Sequence, residues 1–246
     1  MFPKNKCPQK SAPINSSISG HPLRCLKSAI AASGKQSPPS SPPQNGYPNG
    51  QLDYVELSDP EEDEHKLQYA YVLWFSQRQS GKQNNVQPYD QNLKLVGAFN
   101  TVEKFWGIYG HLIRPSEMAL HSDFHLFKLG IKPMWEDAAN KDGGKWIVRL
   151  KKGLASRCWE DLMLAILGEQ FMVGEEICGA VVSIRFQEDI ISVWNKTAND
   201  QNTTIRIRDT LKRVLNLPPN TIMEYKTHNN SLRDKSSFRN TDIFLH

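Results

Sequence analysis

The stretch ICGAVVSIR, Ile177 to Arg185, is followed by Phe186-Gln187-Glu188-Asp189 and then by IISVW, Ile190 to Trp194. Two apolar, β-branched runs separated by four residues predict a hairpin. Working outward, Leu67 to Ser76 (LQYAYVLWFS), Leu93 to Phe99, Gly144 to Leu150 (GKWIVRL) and Thr221 to Lys226 also read as strands, with a short one at His125 to Lys128. Three helices are interspersed. Asn100 is placed as the cap of the first, with Glu103 at the capping-box spacing and Val102, Phe105, Trp106, Tyr109 and Leu112 as its apolar set. Ser156 is placed as the cap of the second, which runs to about Gly168. The third spans about Asp200 to Leu215 and stops before Pro218-Pro219. Short connections between neighbouring strands favour a mainly antiparallel sheet. Helices would cover one face, leaving the other for loops and ligand: an α+β domain.

Composition sets the limits of that domain. All six Trp lie between Trp74 and Trp194, while ten of the fifteen Pro lie in the first 64 residues. Residues 1–64, rich in Ser, Pro, Asn and Gly, lack the apolar surface to offset their ordering entropy and are expected to form a disordered tail. The acidic run Asp59 to Glu64 reads as a solvating linker. Residues 65–228 would form the domain, and 229–246 a flexible polar tail. The net charge of +4 argues against a broad phosphate footprint on long duplexes and allows a small, focused site. Cys7, Cys25, Cys158 and Cys178 suggest neither a disulfide framework nor a zinc site. No apolar run is long enough to span a membrane. With no clear signal peptide either, a cytoplasmic location is the expectation, with the nucleus open.

Ile131-Lys132-Pro133-Met134-Trp135-Glu136-Asp137 carries the chemistry. Pro133 disfavours a helix, so Trp135 falls on a loop. On its own, such a Trp is more readily a residue folded back onto its domain. A methylated guanine changes the comparison. Its base is positively charged and is attracted to the faces of aromatic rings. Its Watson–Crick edge offers two N–H donors that one carboxylate can accept, and Glu136 adjoins Trp135. A triphosphate needs a nearby cation, and Arg185 ends a strand. Tyr89 is a lone aromatic in the polar stretch Gln77 to Gln91, unusual company for such a ring.

Residues 65–228 resemble the eukaryotic cap-binding translation initiation factor 4E family. The similarity is carried by NTVEKFWGIY (Asn100 to Tyr109), IKPMWEDAANKDGGKW (Ile131 to Trp146), EEICGAVVSIR (Glu175 to Arg185) and LNLPP (Leu215 to Pro219). Tyr89, where the main family has Trp, and KGLASRCWE (Lys152 to Glu160) point to the type 2 subclass, the 4E homologous protein. The resemblance implies a curved sheet with helices on its convex face and a ligand slot on its concave face. It implies that Tyr89 and Trp135 sandwich a 7-methylguanosine cap, that Glu136 holds the base edge, that Trp194 lies beside the methyl group and that Arg185 meets the phosphates. Lys145 and Arg206 are further candidates for the phosphate path. Ile190 stands where the initiator has a second phosphate-binding Lys, so weaker cap affinity is expected. On the helical face, His65, Val102, Trp106, Asp161 and Leu164 would receive the helical motif of 4E-binding proteins. The family's His-Pro-Leu entry reads His65-Lys66-Leu67 here, and without the Pro the segment is expected to be more mobile.

The function so implied is non-enzymatic: binding capped mRNA and repressing translation in competition with the initiation factor. Support of translation of a subset of messages is the alternative. A cap-processing enzyme and a general single-strand RNA binder are the competing classes. His121, Asp123 and His125 form H-x-D-x-H, which we read as part of a structural strand in preference to a metal site. The paired acids, and a Gly143-Gly144 turn without a phosphate-loop frame, suggest neither acid–base catalysis nor a nucleotide-hydrolase site. No cofactor and no metal are expected.

Overall fold

The computed structural model describes residues 57–78 and 89–244. Most of the Ser/Pro-rich tail and of the polar stretch before Tyr89 lies outside them. Among the described residues eight strands form one antiparallel sheet: β1 (Lys66–Gln77), β2 (Leu93–Thr101), β3 (Ser122–Lys128), β4 (Gly144–Leu150), β5 (Ile177–Ile184), β6 (Asp189–Asn195), β7 (Met223–Thr227) and β8 (Asp242–Phe244). Their order across the sheet is β2-β1-β3-β5-β6-β4-β7-β8. The expected hairpin is β5–β6, with Ile184 opposite Asp189 at its tip.

The pairing register sorts the side chains, because directly opposed residues share a face. One face carries the rows Phe75–Phe124–Val182–Ile191–Val148–Met223 and Leu73–Leu126–Ala180–Val193–Trp146–Tyr225. These residues belong to one large buried core that also takes in the buried sides of α2 (Val102–Tyr109), α3 (Ala155–Leu167) and α4 (Gln201–Val214). The three helices therefore cover the convex face, as expected. The other, concave face is much more polar. Its rows are Ser76–Asp123–Ser183–Ile190, Trp74–His125–Val181–Ser192 and Phe127–Gly179–Trp194–Lys145–Lys226. A Cβ on Gly179 would lie 2.6 Å from the Phe127 ring. Glycine there lets Phe127 and Trp194 meet edge to face across the strand, with ring centres 5.3 Å apart.

Several boundaries differ from those expected. The cap of α2 is Thr101, whose hydroxyl accepts from the Lys104 amide, and not Asn100. Glu103 is instead fastened to His65, accepting from its amide at 2.9 Å and lying 2.7 Å from Nδ1. Ser156 sits inside α3, where its hydroxyl accepts from the Ser116 amide, and Leu154 precedes the helix without a side-chain cap. Part of the acidic run belongs to the domain, since Glu64 pairs with Lys104 at 3.1 Å.

The largest correction is at the C-terminal end. Residues 228–244 fold as α5 (His228–Asp234), a left-handed turn at Lys235, and β8, which pairs with β7. Polar anchors hold this segment. The Thr227 hydroxyl caps α5, Lys226 donates to Asp234 at 2.6 Å and to the Arg239 carbonyl, and Thr241 donates to Glu224 at 2.6 Å. A seven-residue helix with His228 and Ser231 as its buried positions has no apolar stripe to announce it.

Candidate functional site

A cavity of about 320 Å³ opens on the concave face. Its floor comes from the sheet: Asp123 and His125 of β3, Val181 and Ser183 of β5, Ser192 and Trp194 of β6, and Lys145 of β4. One wall is the loop with Pro133, Met134, Trp135 and Glu136. Tyr89, the first residue of the four-residue helix α1 (Tyr89–Asn92), Arg78 at the end of β1, and Arg185 complete the rim.

The Trp135 loop is locked by two side chains. Asp137 accepts from the amides of Lys132 and Ala139, and Asn140, fully buried, donates to the carbonyls of Lys132 and Met134. This separates the adjacent acids: Asp137 is spent on the loop backbone, whereas Glu136 is exposed and lines the cavity. The loop returns to the sheet through Gly143, where a Cβ would lie 1.9 Å from the Asn195 carbonyl oxygen, a fit open only to glycine. Trp135 packs against the small cluster of Phe127, Cys178, Val181 and Trp194. Tyr89 is 40% exposed. Desolvation, followed by the charge of Asp123, holds its hydroxyl above the usual tyrosine range.

Behind the aromatic rings lies a polar chain. Arg185 Nη2 donates to Asp123 Oδ1 at 2.7 Å, the Ser76 hydroxyl lies 3.5 Å from Asp123 Oδ2, and His125 Nε2 lies 2.9 Å from the same hydroxyl. His125 is buried, and desolvation lowers its pKa to about 4, so it is neutral near pH 7. Asp123 and His125 thus serve as supports on a strand. Among the described residues no group of three His, Cys, Asp or Glu is placed to hold a metal ion, and no helix is long and apolar enough to cross a membrane. The described Cys158 and Cys178 are buried free thiols.

Six of the seven residues singled out for the slot therefore line one cavity: Tyr89, Trp135, Glu136, Arg185, Trp194 and Lys145. Arg206 does not. It lies on the exposed side of α4, on the opposite face of the sheet, and donates to the Met172 carbonyl at 3.2 Å. Contrary to expectation, Arg206 is not placed to meet phosphates in this cavity. Ile190 is buried in β6 and is not among the lining residues. The lining also includes Leu232, Lys235, Ser237 and Phe238 of the C-terminal segment, and Arg78, none of which the sequence had suggested. Phe238 was detectable on the ground that exposed Tyr89, as a lone aromatic in polar company.

The second expected surface lies on the helices. Trp106 is 42% exposed, and its ring stands 4.9 Å from Phe105 and 5.9 Å from Tyr109, both buried. Val102 and Leu164 are exposed apolar side chains, and Asp161 pairs with Arg157 at 3.6 Å. His65 does not stand loose despite the missing Pro, because its carbonyl accepts from the Val102 amide at 2.9 Å in addition to its bonds with Glu103.

Comparisons with known proteins match the fold. The family model described as eukaryotic initiation factor 4E matches residues 66–243. The chain is 55% identical over 179 residues to eukaryotic translation initiation factor 4E-4 of Caenorhabditis elegans, covering 73% of this chain and 84% of that protein. It is 50% identical over 178 residues to the translation initiation factor NCBP of Arabidopsis thaliana, covering 72% and 80%. Among solved structures, the complex of C. elegans eIF4E-3 with the 4E-binding protein Mextli and a cap analog superposes with a TM-score of 0.64. It is 37% identical over 72% of this chain and 99% of that one. Ascaris suum eIF4E-3 with an m2,2,7G cap also gives 0.64, at 35% identity over 74% and 98%.

Proposed function

Since the chain belongs to the eukaryotic initiation factor 4E family, whose members are cap-binding factors and not enzymes, we propose that it binds the 7-methylguanosine cap of mRNA in this slot and represses translation. The observation that carries the reading is the convergence of Tyr89, Trp135, Glu136 and Arg185 on one cavity. Tyr89 and Trp135 would stack on the two faces of the cationic base. Glu136, the acid not consumed by its own loop, would accept the two N–H donors of the guanine edge. Arg185, preset by Asp123, would meet the phosphates, with Arg78 and Lys235 as further cations on the rim.

Weaker binding than in the main initiators follows from the same residues. A phenol offers a smaller π face than an indole, and a buried Ile190 supplies no charge. A weak cap binder held at the message by partners through the Trp106 surface suits a competitor better than an initiator. That surface fits an amphipathic helix with an apolar anchor.

Binding of 7-methylguanosine triphosphate by the wild type and by Tyr89→Ala, Trp135→Ala and Glu136→Ala tests the first part. Each variant is expected to lose about tenfold or more. Tethering the protein to a reporter mRNA tests the second: output should fall, and a rise would establish the initiator reading instead.

A further inference from the structure

The slot contains a cation of its own. Lys145 rises from β4 into the concave face and is 2% exposed. Its Nζ lies 5.2 Å from the ring centre of Trp194, 5.6 Å from that of Trp135 and 5.1 Å from that of Phe238. The nearby carboxylates are committed elsewhere, Asp123 to Arg185 at 2.7 Å and Asp234 to Lys226 at 2.6 Å. Aromatic faces are thus what this ammonium has been given, and three of them converge on it. Its burial costs free energy that these rings only partly offset. Desolvation, then the charge of Lys226, draws its pKa down to about 7.

We infer that Lys145 is a specificity-determining residue whose ammonium occupies the cation position of the Trp135–Trp194–Phe238 cage, so that a cationic base must displace it. The inference rests on the proposed cap site. Below about pH 7, where Lys145 is mostly protonated, two positive groups cannot share one low-dielectric cage without mutual repulsion. A ligand consisting of the methylated base and sugar alone has nothing to offer the expelled ammonium. A ligand that also carries phosphates does, because the lysine stem lets the ammonium swing from the rings to the phosphate oxygens. Lys145 therefore couples the two halves of the ligand, penalising free methylated nucleosides and sparing the phosphorylated cap. Its part in the phosphate path is conditional, the destination of a displaced group. Phe238 gives the C-terminal segment its place in the site, as the third wall of the cage.

The test compares 7-methylguanosine with 7-methylguanosine triphosphate at pH 6 on wild type and Lys145→Met, a substitution that keeps the stem and removes the charge. The nucleoside should bind the variant about fivefold more tightly. The triphosphate should bind it no better than wild type, so that the gain from the phosphates shrinks. Unchanged or weaker nucleoside binding by a folded variant overturns the inference. Should the variant not fold, wild-type protein labelled with 13C-lysine decides the matter. The Lys145 ε-methylene protons should be shifted upfield by the three rings and return toward ordinary values when the triphosphate is added. Ordinary values in the ligand-free protein would contradict the cage. Failure of wild type to bind either ligand would instead sink the cap-binding reading, and the lysine spectrum would still report on the cage.

Discussion

Arg185 on the rim of the slot is held by Asp123 of the neighbouring strand, with Nη2 to Oδ1 at 2.7 Å. Neither group is freely solvated: the side chains are 21% and 9% exposed. The pair sets the guanidinium in place before any ligand arrives, which lowers the ordering cost of an anion contact. Asp123→Asn leaves a partly buried Arg185 without its counter-charge. Such breaks cost about 3 kcal/mol. A urea melt of the variant should show that order of loss, and an unchanged midpoint would mean that the pair is solvated in solution.

Gly179 separates Phe127 from Trp194 on the floor of the slot. A Cβ there would lie 2.3 Å from the Leu126 carbonyl oxygen as well as 2.6 Å from the Phe127 ring, so the strands must shift. Gly179→Ala is expected to destabilise the domain by about 3 kcal/mol and to weaken ligand binding by tilting Trp194. Wild-type stability for this variant would show that the strand has slack the geometry does not contain.

Acid should destabilise the protein through two buried histidines. His125 has its pKa lowered to about 4 by desolvation, and His228 to about 3 by desolvation and then by Lys145. Unfolded, each titrates near 6.5. Between those limits the unfolded chain binds more protons than the folded one. Stability is therefore retained above about pH 6.5 and falls as pH drops toward 4. Each proton contributes a slope of about 1.4 kcal/mol per pH unit. In His228→Asn the slope between pH 6 and pH 4 should be shallower than in wild type, as measured by chemical denaturation at each pH. An identical slope would place His228 in water.

Trp106 is exposed although both of its ring neighbours are buried. Trp106→Ala should accordingly keep the melting temperature within a few degrees while weakening a 4E-binding helical peptide by about 2 kcal/mol or more. Unchanged peptide affinity in the folded variant would remove this surface from the account.

The predictability of these features from sequence follows physical lines. β5, β6 and the core of β1 were legible because their apolar runs are long and bounded by polar residues. The Trp135 loop was legible because Pro133 and the following acids break any regular pattern. Alternation along Gly144 to Leu150 sends Lys145 and Trp146 to opposite faces of the sheet. What that alternation could not convey is a side chain's reach, and so the aromatic cage around Lys145 was hidden. α5 and β8 were missed because ion pairs and capping bonds between distant residues hold them, and those leave no periodicity. Arg206 was misplaced for the converse reason: a basic residue on a helix announces its charge but not which face of the sheet its helix covers.

A slot that binds the cap as proposed selects a cationic, methylated guanine. The most direct test is the ratio of dissociation constants for GTP and 7-methylguanosine triphosphate on the wild-type chain, measured by calorimetry at fixed salt. The two ligands share their phosphates and guanine edge and differ in the methyl group and the positive charge it brings. Stacking between Tyr89 and Trp135 predicts preference for the methylated ligand by about 30-fold or more, corresponding to about 2 kcal/mol from two ring faces. A ratio near one would show that the slot does not recognise the methylated base.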